Sequence, residues 1–338
     1  MRGPLLLLGV RMKVKAFAVL VVLVLGLLGG VLAWRGHVAF TGPGPAQESV
    51  TVIIPKGSGT EATAALLEQA GVISDRYVFI IGSKLRRITL KAGEYAFPAH
   101  VSAEEAMRII ADGRVVIHKL TVAEGLTVRQ VAALVEEADF LSGPITRPLS
   151  EGWLLPETWH AVRDEPRDEV LARMEKAMRR NLDTLWAGRD LRVALRSPEE
   201  ALILASVVER ETAIAAERPR IAAVFYNRMV RGMRLQSDPT VIYGVSDGLG
   251  VLDRPLTRAD LNTPHPWNTY AIDGLPRTPI ANPGRASLEA VLHPARTDEL
   301  YFVADGSGGH AFAATLDEHN ANVARWRQIE RSRNAATP

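Results

Sequence analysis

The stretch that decides the fold of the larger part of this chain is SPEEALILASVVERET, residues 197–212. Its serine, followed three residues later by a glutamate, is a capping box, and Pro198 fits the first helical position. The stretch therefore predicts a helix from Pro198 to about Thr212. Because the helix is apolar around most of its circumference, it is expected to be buried.

Two carboxyl groups lie at the end of this predicted helix, Glu209 and Glu211. Helical spacing places Glu209 beside Ala205 and Ser206, where the small side chains leave room for a ligand, and Glu211 among large aliphatic residues. The alternative is that both glutamates form ion pairs with one of three arginines, Arg210, Arg218 or Arg220. Periodicity favours Glu209 as a cleft residue but leaves both glutamates open.

The composition restricts the range of functions. The chain has 338 residues, enough for about two domains. With 40 basic and 38 acidic residues it lacks the basic excess of a protein that wraps nucleic acid, so no nucleic-acid partner is expected. The absence of cysteine excludes disulfides and thiolate zinc sites. The late histidines show no close ligand spacing, and neither a metal nor a cofactor is expected.

A run without charged residues, 16–34, is long enough to cross a hydrocarbon core of about 30 Å as a helix. Lys13 and Lys15 precede it, so residues 1–15 are expected to be a cytoplasmic tail and the rest of the chain to lie outside the plasma (inner) membrane. The alternative is a cleaved signal peptide, for which the apolar run is long. Both interpretations export the rest of the chain.

The remaining chain is expected to be α+β. Residues 35–49, rich in glycine and proline, predict a flexible linker. A strand, a glycine turn and a helix follow from Val50 and recur from Thr121, which predicts small α+β modules over 50–140. A boundary near 142–150 would then begin a larger α+β domain over 150–335. Within it, 167–195 and a segment from Pro219 to Gly232 are expected to be helical, and 238–309 mostly loops and short strands.

Several blocks of the chain, taken in order, resemble the endolytic murein transglycosylases of the YceG-like (MltG) family. They are EGWLLPET at 151–158, LASVVERET at 204–212, VFYNRM at 224–229, GMRLQSDPTVIYG at 232–244, NTY at 268–270 and YFVADG at 301–306. The resemblance covers about residues 50–330. It departs from the family at Ser237, Glu157 and Arg277, where threonine, aspartate and proline are common.

The resemblance implies an N-terminal transmembrane helix, a LysM-like module and a catalytic domain. It implies that Glu209 is the catalytic residue, since the first glutamate of the family's Glu-x-Glu-Thr motif falls there. The substrate-binding residues expected around it are Gln236, Ser237, Asp238, Asn268, Tyr270 and Glu157. From the residues alone, 236–240 is also explained as a simple turn beside a proline.

The implied reaction cleaves the MurNAc–GlcNAc β-1,4 bond of nascent peptidoglycan and leaves a 1,6-anhydroMurNAc end, which would terminate glycan elongation. One glutamate would serve first as acid and then as base. Glycan strands are the expected substrate, and peptidoglycan synthases (penicillin-binding proteins) the expected partners. The alternatives are a non-catalytic cell-wall scaffold and a muramidase whose product is heavier by one water.

Overall fold

The computed structural model describes residues 5–336 and consists of two compact units that divide between Ile117 and His118. The elements of the first unit are α1 (Leu5–Thr41), β1 (Val50–Ile54), α2 (Thr60–Gln69), α3 (Arg76–Arg86), β2 (Gly93–Phe97) and α4 (Ala103–Asp112). β1 and β2 are antiparallel, with Val50 opposite Phe97. The helices α2, α3 and α4 cover this hairpin and bury Phe79, Tyr95 and Phe97.

The helix α1 is longer than the predicted span at both ends. It begins at Leu5, so 5–15 is helical, while 1–4 lies outside the described residues. Its segment Phe17–Thr41 contains an 18-residue window with a mean hydropathy of 2.7 and is long enough to cross a membrane. The prediction of a flexible linker from residue 35 is wrong, because the helix continues until Phe40 is buried in the first unit.

The chain after α1 is also attached to the first unit. The amide of Gly44 donates to the carbonyl of His100 at 3.2 Å, and the His100 amide donates to the carbonyl of Ala46 at 2.7 Å. These bonds fix residues 42–49 against the loop before α4, so the glycines and prolines there form an ordered turn. The Ser102 hydroxyl accepts from the Glu105 amide at 3.1 Å and begins α4 as the sequence predicts.

The second unit begins with the repeated strand and helix, not near residue 150. Its elements are β3 (His118–Thr121), α5 (Val128–Glu137), β4 (Leu141–Ser142), β5 (Thr158–Ala161), β6 (Glu165–Pro166), α6 (Arg167–Ala187), α7 (Pro198–Glu211), α8 (Arg218–Val230), α9 (Asp238–Val245), α10 (Arg258–Asn262), α11 (Arg285–Leu292), β7 (Tyr301–Ala304), β8 (His310–Ala313) and α12 (Leu316–Ala336). A short 3-10 turn, Ala215–Glu217, precedes α8.

The boundary prediction fails because β3 pairs antiparallel with β5, across the segment that was expected to separate two domains. Leu120, Val131 and Val135 share one core with Leu171 and Met174 of α6. The two copies of the strand-turn-helix pattern therefore form as predicted but belong to different units. Residues 50–140 are therefore divided between the two units, and the LysM-like character predicted for them is not confirmed.

The helix α7 is central to the second unit. Its Ser197 hydroxyl accepts from the Glu200 amide at 3.3 Å, and its residues from Ala201 to Val208, except Ile203, are buried. The antiparallel strands β7 and β8 and helices α6, α8 and α11 surround this core. The mixed helix and strand content agrees with the predicted α+β class.

Two sequence-based assignments in this unit need correction. The helix predicted over 167–195 ends at Ala187, because the backbone leaves the helix at Gly188. The segment 238–309, expected to be loops and strands, contains α9, α10 and α11. In α9 the Asp238-Pro239 pair, interpreted as a turn, opens a helix, since proline is well suited to the first turn.

Candidate active site

The C-terminal end of α7 places Glu209 and Glu211 in two different environments. The helix ends at Glu211 because Thr212 adopts an extended conformation, with φ −144° and ψ 137°. Glu209 faces α8 and the loop before α11, whereas Glu211 faces the segment before α9. The separation that helical spacing indicated is therefore real, although the partners come from distant parts of the sequence.

Both carboxylate oxygens of Glu209 have partners. Oε1 accepts from Nη2 of Arg218 at 3.0 Å, and Oε2 accepts from the backbone amide of Gly284 at 2.8 Å. The Glu209 side chain is only 4% exposed. The ion pair with Arg218 was one of the alternatives that the sequence left open. It holds the carboxylate in a fixed position at the end of a buried helix.

A third carboxyl group, Glu124, shares the same arginine. Its Oε2 lies 3.2 Å from Nη2 of Arg218, the nitrogen that also contacts Glu209. Its side chain is 45% exposed, while that of Arg218 is 9% exposed. One guanidinium nitrogen thus contacts two carboxyl groups. Arg218 is therefore not a complete counterion for Glu209.

Glu124 reaches this position because its turn is bound on both sides. The Gly125 amide donates to the carbonyl of Asn282 at 3.0 Å, and Nη1 of Arg210 donates to the carbonyl of Gly125 at 3.1 Å. A methyl group at Gly284 would overlap the Glu124 carboxyl, so this glycine allows the Glu124 side chain to lie against the loop before α11. Glu124 was not predicted from the sequence, since no periodicity in residues 118–137 relates it to residues 209–218.

A cleft of about 440 Å³ lies over these groups. It is lined by Glu124, Gly125, Glu209, Arg210, Glu211, Thr212, Ala213 and Arg218. Three glutamates therefore contribute to the lining of one space, and the small residues Gly125 and Ala213 keep part of it open. Its polar lining suits a hydroxyl-rich ligand better than an apolar one.

Glu211 has no arginine in direct hydrogen-bond contact. It accepts a short hydrogen bond from the Ser237 hydroxyl. Burial raises the pKa of Glu211 to about 7; the bond from Ser237 opposes this rise, and the negative charge of Asp238 adds to it. Glu211 is thus the cleft carboxyl that can carry a proton near neutral pH in the free protein.

Three of the predicted binding residues lie together at the start of α9. Ser237 is buried against Glu211, while Gln236 and Asp238 are exposed. The hydroxyl of Tyr270 donates to Oδ1 of Asp238 at 2.6 Å. Burial, reinforced by Asp238, raises the pKa of Tyr270, so the phenol stays protonated and can donate. The Gln236 backbone has φ 53°, a left-handed conformation that is uncommon for a residue other than glycine.

Two predicted binding residues are placed differently. Asn268 is buried, and its amide nitrogen donates to backbone carbonyls of the α10 end while its oxygen accepts from the Tyr270 amide at 2.9 Å. It therefore holds the loop and offers no free polar group. Glu157 is exposed just before β5, outside the residues that line the cleft. Among residues 5–336, no three His, Asp or Glu side chains form a group that could hold a metal ion.

The chain is similar to known proteins of one family. The model of the YceG-like family matches residues 52–325. A Bacillus subtilis protein named endolytic murein transglycosylase is 30% identical over 308 residues, which is 81% of this chain and 84% of that protein. A Streptococcus pneumoniae protein of the same name is 29% identical over 92% of this chain, and the match spans only 65% of its length.

A solved structure is also similar. The crystal structure of a putative YceG-like protein from Listeria monocytogenes matches with a TM-score of 0.51 and 31% identity. The match covers 82% of this chain and 99% of that one.

Proposed function

The chain belongs to the YceG-like family, and from this premise we propose that it is a lytic transglycosylase that cleaves the glycan strands of peptidoglycan. The names of the Bacillus and Streptococcus relatives support this activity over that of a non-catalytic scaffold. The observation that carries the proposal is the cleft at the end of α7, where Glu209 is held between Arg218 and the Gly284 amide.

Glu209 is the proposed catalytic residue. It would donate a proton to the glycosidic oxygen as the bond from C1 of MurNAc breaks and an oxocarbenium-like centre forms. The resulting carboxylate would accept the proton of the C6 hydroxyl as that oxygen bonds to C1. The products are a 1,6-anhydroMurNAc end and a GlcNAc hydroxyl, and Glu209 regains its proton. No water is consumed, so the reaction needs no second carboxyl as nucleophile.

Glu124 would allow Glu209 to act as an acid although Glu209 forms an ion pair with Arg218. Nη2 of Arg218 is divided between two carboxyl groups, so the guanidinium does not pair with Glu209 alone. The amide of Gly284 and the guanidinium of Arg218 then stabilise the carboxylate formed after proton donation. This arrangement supports Glu209 as a group that exists in both protonation states during one turnover.

The region at the start of α9 is the proposed substrate side of the site. Gln236 and Asp238 are exposed polar groups, and the bond from Tyr270 fixes the Asp238 carboxylate. We propose that they bind acetamido and hydroxyl groups of the sugars, with Ser237 positioning Glu211 below them. Asn268 contributes by holding the loop that carries Tyr270.

The segment Phe17–Thr41 is the proposed membrane anchor. Basic residues before it favour an N-terminus in the cytoplasm and a catalytic unit outside the membrane. Under this topology the substrate is the glycan strand at the outer surface, and peptidoglycan synthases are proposed partners.

Mass spectrometry of the products tests the proposed reaction. Full-length protein is incubated with purified sacculi, and the released fragments are compared with those of a muramidase. The proposal predicts anhydro ends, lighter than reducing ends by one water. Reducing ends alone would show a hydrolase, and no released fragments at all would support the scaffold alternative.

A further inference from the structure

The exposed face of α3 carries large apolar side chains of the kind that proteins usually bury. Tyr77, Ile81 and Leu85 recur every four residues along the helix and lie within one stripe. Their exposed fractions are 61%, 58% and 80%. The opposite face of α3 already packs into the core of the first unit through Phe79. The stripe is therefore a second apolar face that the fold of this unit leaves uncovered.

The stripe lies directly beside the end of the membrane-spanning helix. A methyl group at Gly82 would overlap the Phe40 ring, so α3 packs tightly against α1 at this glycine. Between the two helices is an apolar groove of about 390 Å³. Its lining includes Leu32, Ala33, Gly36 and Phe40 from α1 and Ile81 and Leu85 from α3.

The position of α1 in the membrane determines how deep in the bilayer this groove lies. The uncharged run of α1 ends at Trp34-Arg35, residue types that occur at the border of the hydrocarbon core. At about 1.5 Å per residue, Phe40 lies only about 9 Å beyond Trp34 along the axis. A groove lined by Leu32 at one end and Phe40 at the other therefore begins within the hydrocarbon edge and extends through the headgroup layer.

We propose that the stripe of Tyr77, Ile81 and Leu85 lies in the membrane interface and that phospholipid fills the groove between α1 and α3. This inference rests on the proposed anchor, since only a spanning α1 sets the depth of α3. Interfacial helices bury an apolar face by about 5–10 Å, which matches the position of the groove. Arg86, which lies over the Phe40 ring with 4.9 Å between the guanidinium carbon and the ring centroid, would reach the phosphate layer.

The consequence is a fixed orientation of the first unit on the bilayer. A single spanning helix permits rotation and tilt of the domain attached to its end, whereas a second contact at the interface restricts both. Phospholipid is favoured over a second protein chain because the bilayer is present wherever α1 spans it.

Single-cysteine labelling tests the proposal, because the chain contains no cysteine. Leu85→Cys in the full-length protein carries an environment-sensitive fluorophore and is reconstituted in phosphatidylethanolamine–phosphatidylglycerol vesicles. The control is Asp112→Cys, also exposed, at the opposite end of α4 from the loop that contacts the chain after α1. The reference is Leu25→Cys in the middle of the span. Leu85 has no core contact to lose, so its variant should fold.

A shallow bromolipid should quench the Leu85 label at least about twofold more than the Asp112 label, and the Leu85 emission should shift to shorter wavelength. Equal quenching at both positions would overturn the inference. A Leu85 label shielded from aqueous iodide but not quenched by bromolipid would also overturn it, since a protein chain would then cover the stripe. If a deep bromolipid fails to quench the Leu25 label, the proposed anchor fails instead.

Discussion

The same local pattern occurs once in each unit, and the copy in the second unit borders the candidate active site. In the first unit β1 is followed by a turn with Lys56-Gly57 and then α2; in the second, β3 is followed by a turn with Glu124-Gly125 and then α5. Both glycines have positive φ, 86° and 78°. Nothing lies within 4 Å of a methyl group placed at Gly57, whereas one at Gly125 would contact Arg210 and Glu209. Local sequence thus determines the turn, and long-range packing determines whether the turn belongs to a site.

The largest effect is expected at the arginine that joins the second turn to α7. Arg218→Met should lower the free energy of unfolding by about 3–5 kcal/mol, because Glu209 would remain buried without its ionic partner. Chemical denaturation at pH 7 measures the loss. The matched control is Arg285→Met, which breaks an exposed pair with Glu289 and should cost less than about 1 kcal/mol. Equal losses would show that Arg218 is not a structural counterion.

Glu211 differs from Glu209 and Glu124 because, within the described residues, no arginine is in hydrogen-bond contact with its carboxyl group. Burial raises its pKa from 4.5 to about 7, so the folded state binds a proton more tightly than the unfolded state does. Its contribution is therefore present at low pH, and stability falls as the pH rises between about 4.5 and 7. The free energy of unfolding of Glu211→Gln should exceed that of wild type by up to about 3 kcal/mol at pH 8 but by little at pH 4.5.

Urea denaturation of both proteins across this pH range measures the difference. Part of the pH dependence of stability should persist in the variant, because burial also raises the pKa of Glu151 to about 7. A difference between the two proteins that does not vary with pH would mean that Glu211 titrates normally.

The two turns can be compared directly by removing the charge of equivalent residues. Glu124→Gln should lower the rate of anhydro-product formation by about tenfold, because Arg218 would then act fully on Glu209 and disfavour its protonated form. Lys56→Gln, at the equivalent position of the first turn, should leave the rate unchanged. Unaltered rates in both variants would remove Glu124 from the site.

The smallest effect concerns the glycines of the same turns. Gly57→Ala and Gly125→Ala should each destabilise the protein by about 1 kcal/mol, since alanine disfavours positive φ. Only Gly125→Ala should also lower activity, because the backbone strain would then act in the turn that carries Glu124 and accepts from Arg210. Thermal unfolding and product release measure the two properties. Loss of activity in Gly57→Ala would contradict the prediction that only the second turn affects activity.

The helices and their caps were predictable because they depend on neighbouring residues. Ser102 and Ser197 begin α4 and α7 where the sequence indicates. The end of α1 at Thr41 was not predictable, since its last turn is stabilised by burial of Phe40. The helix α9 was missed because Asp238-Pro239 fits both a turn and the first turn of a helix.

The site was predictable only in part, for the same reason. Helical spacing separated Glu209 from Glu211, and the structure places them in different surroundings. Spacing did not reveal that Glu124, 94 residues before Arg218, shares that arginine with Glu209. It also did not reveal that Asn268 directs its hydrogen bonds to the backbone. Both facts depend on contacts between segments far apart in the chain.

The central claim is that Glu209 both donates and accepts the proton of the cleavage, and one comparison of variants tests it most directly. Products released from purified sacculi by full-length wild type, Glu209→Gln and the surface control Glu289→Gln are quantified by mass spectrometry. Glu209→Gln should retain its fold and form anhydro product about 10²- to 10⁴-fold more slowly than wild type. Glu289→Gln should match wild type. Undiminished anhydro product from folded Glu209→Gln, with loss in Glu211→Gln, would contradict it and assign the reaction to Glu211.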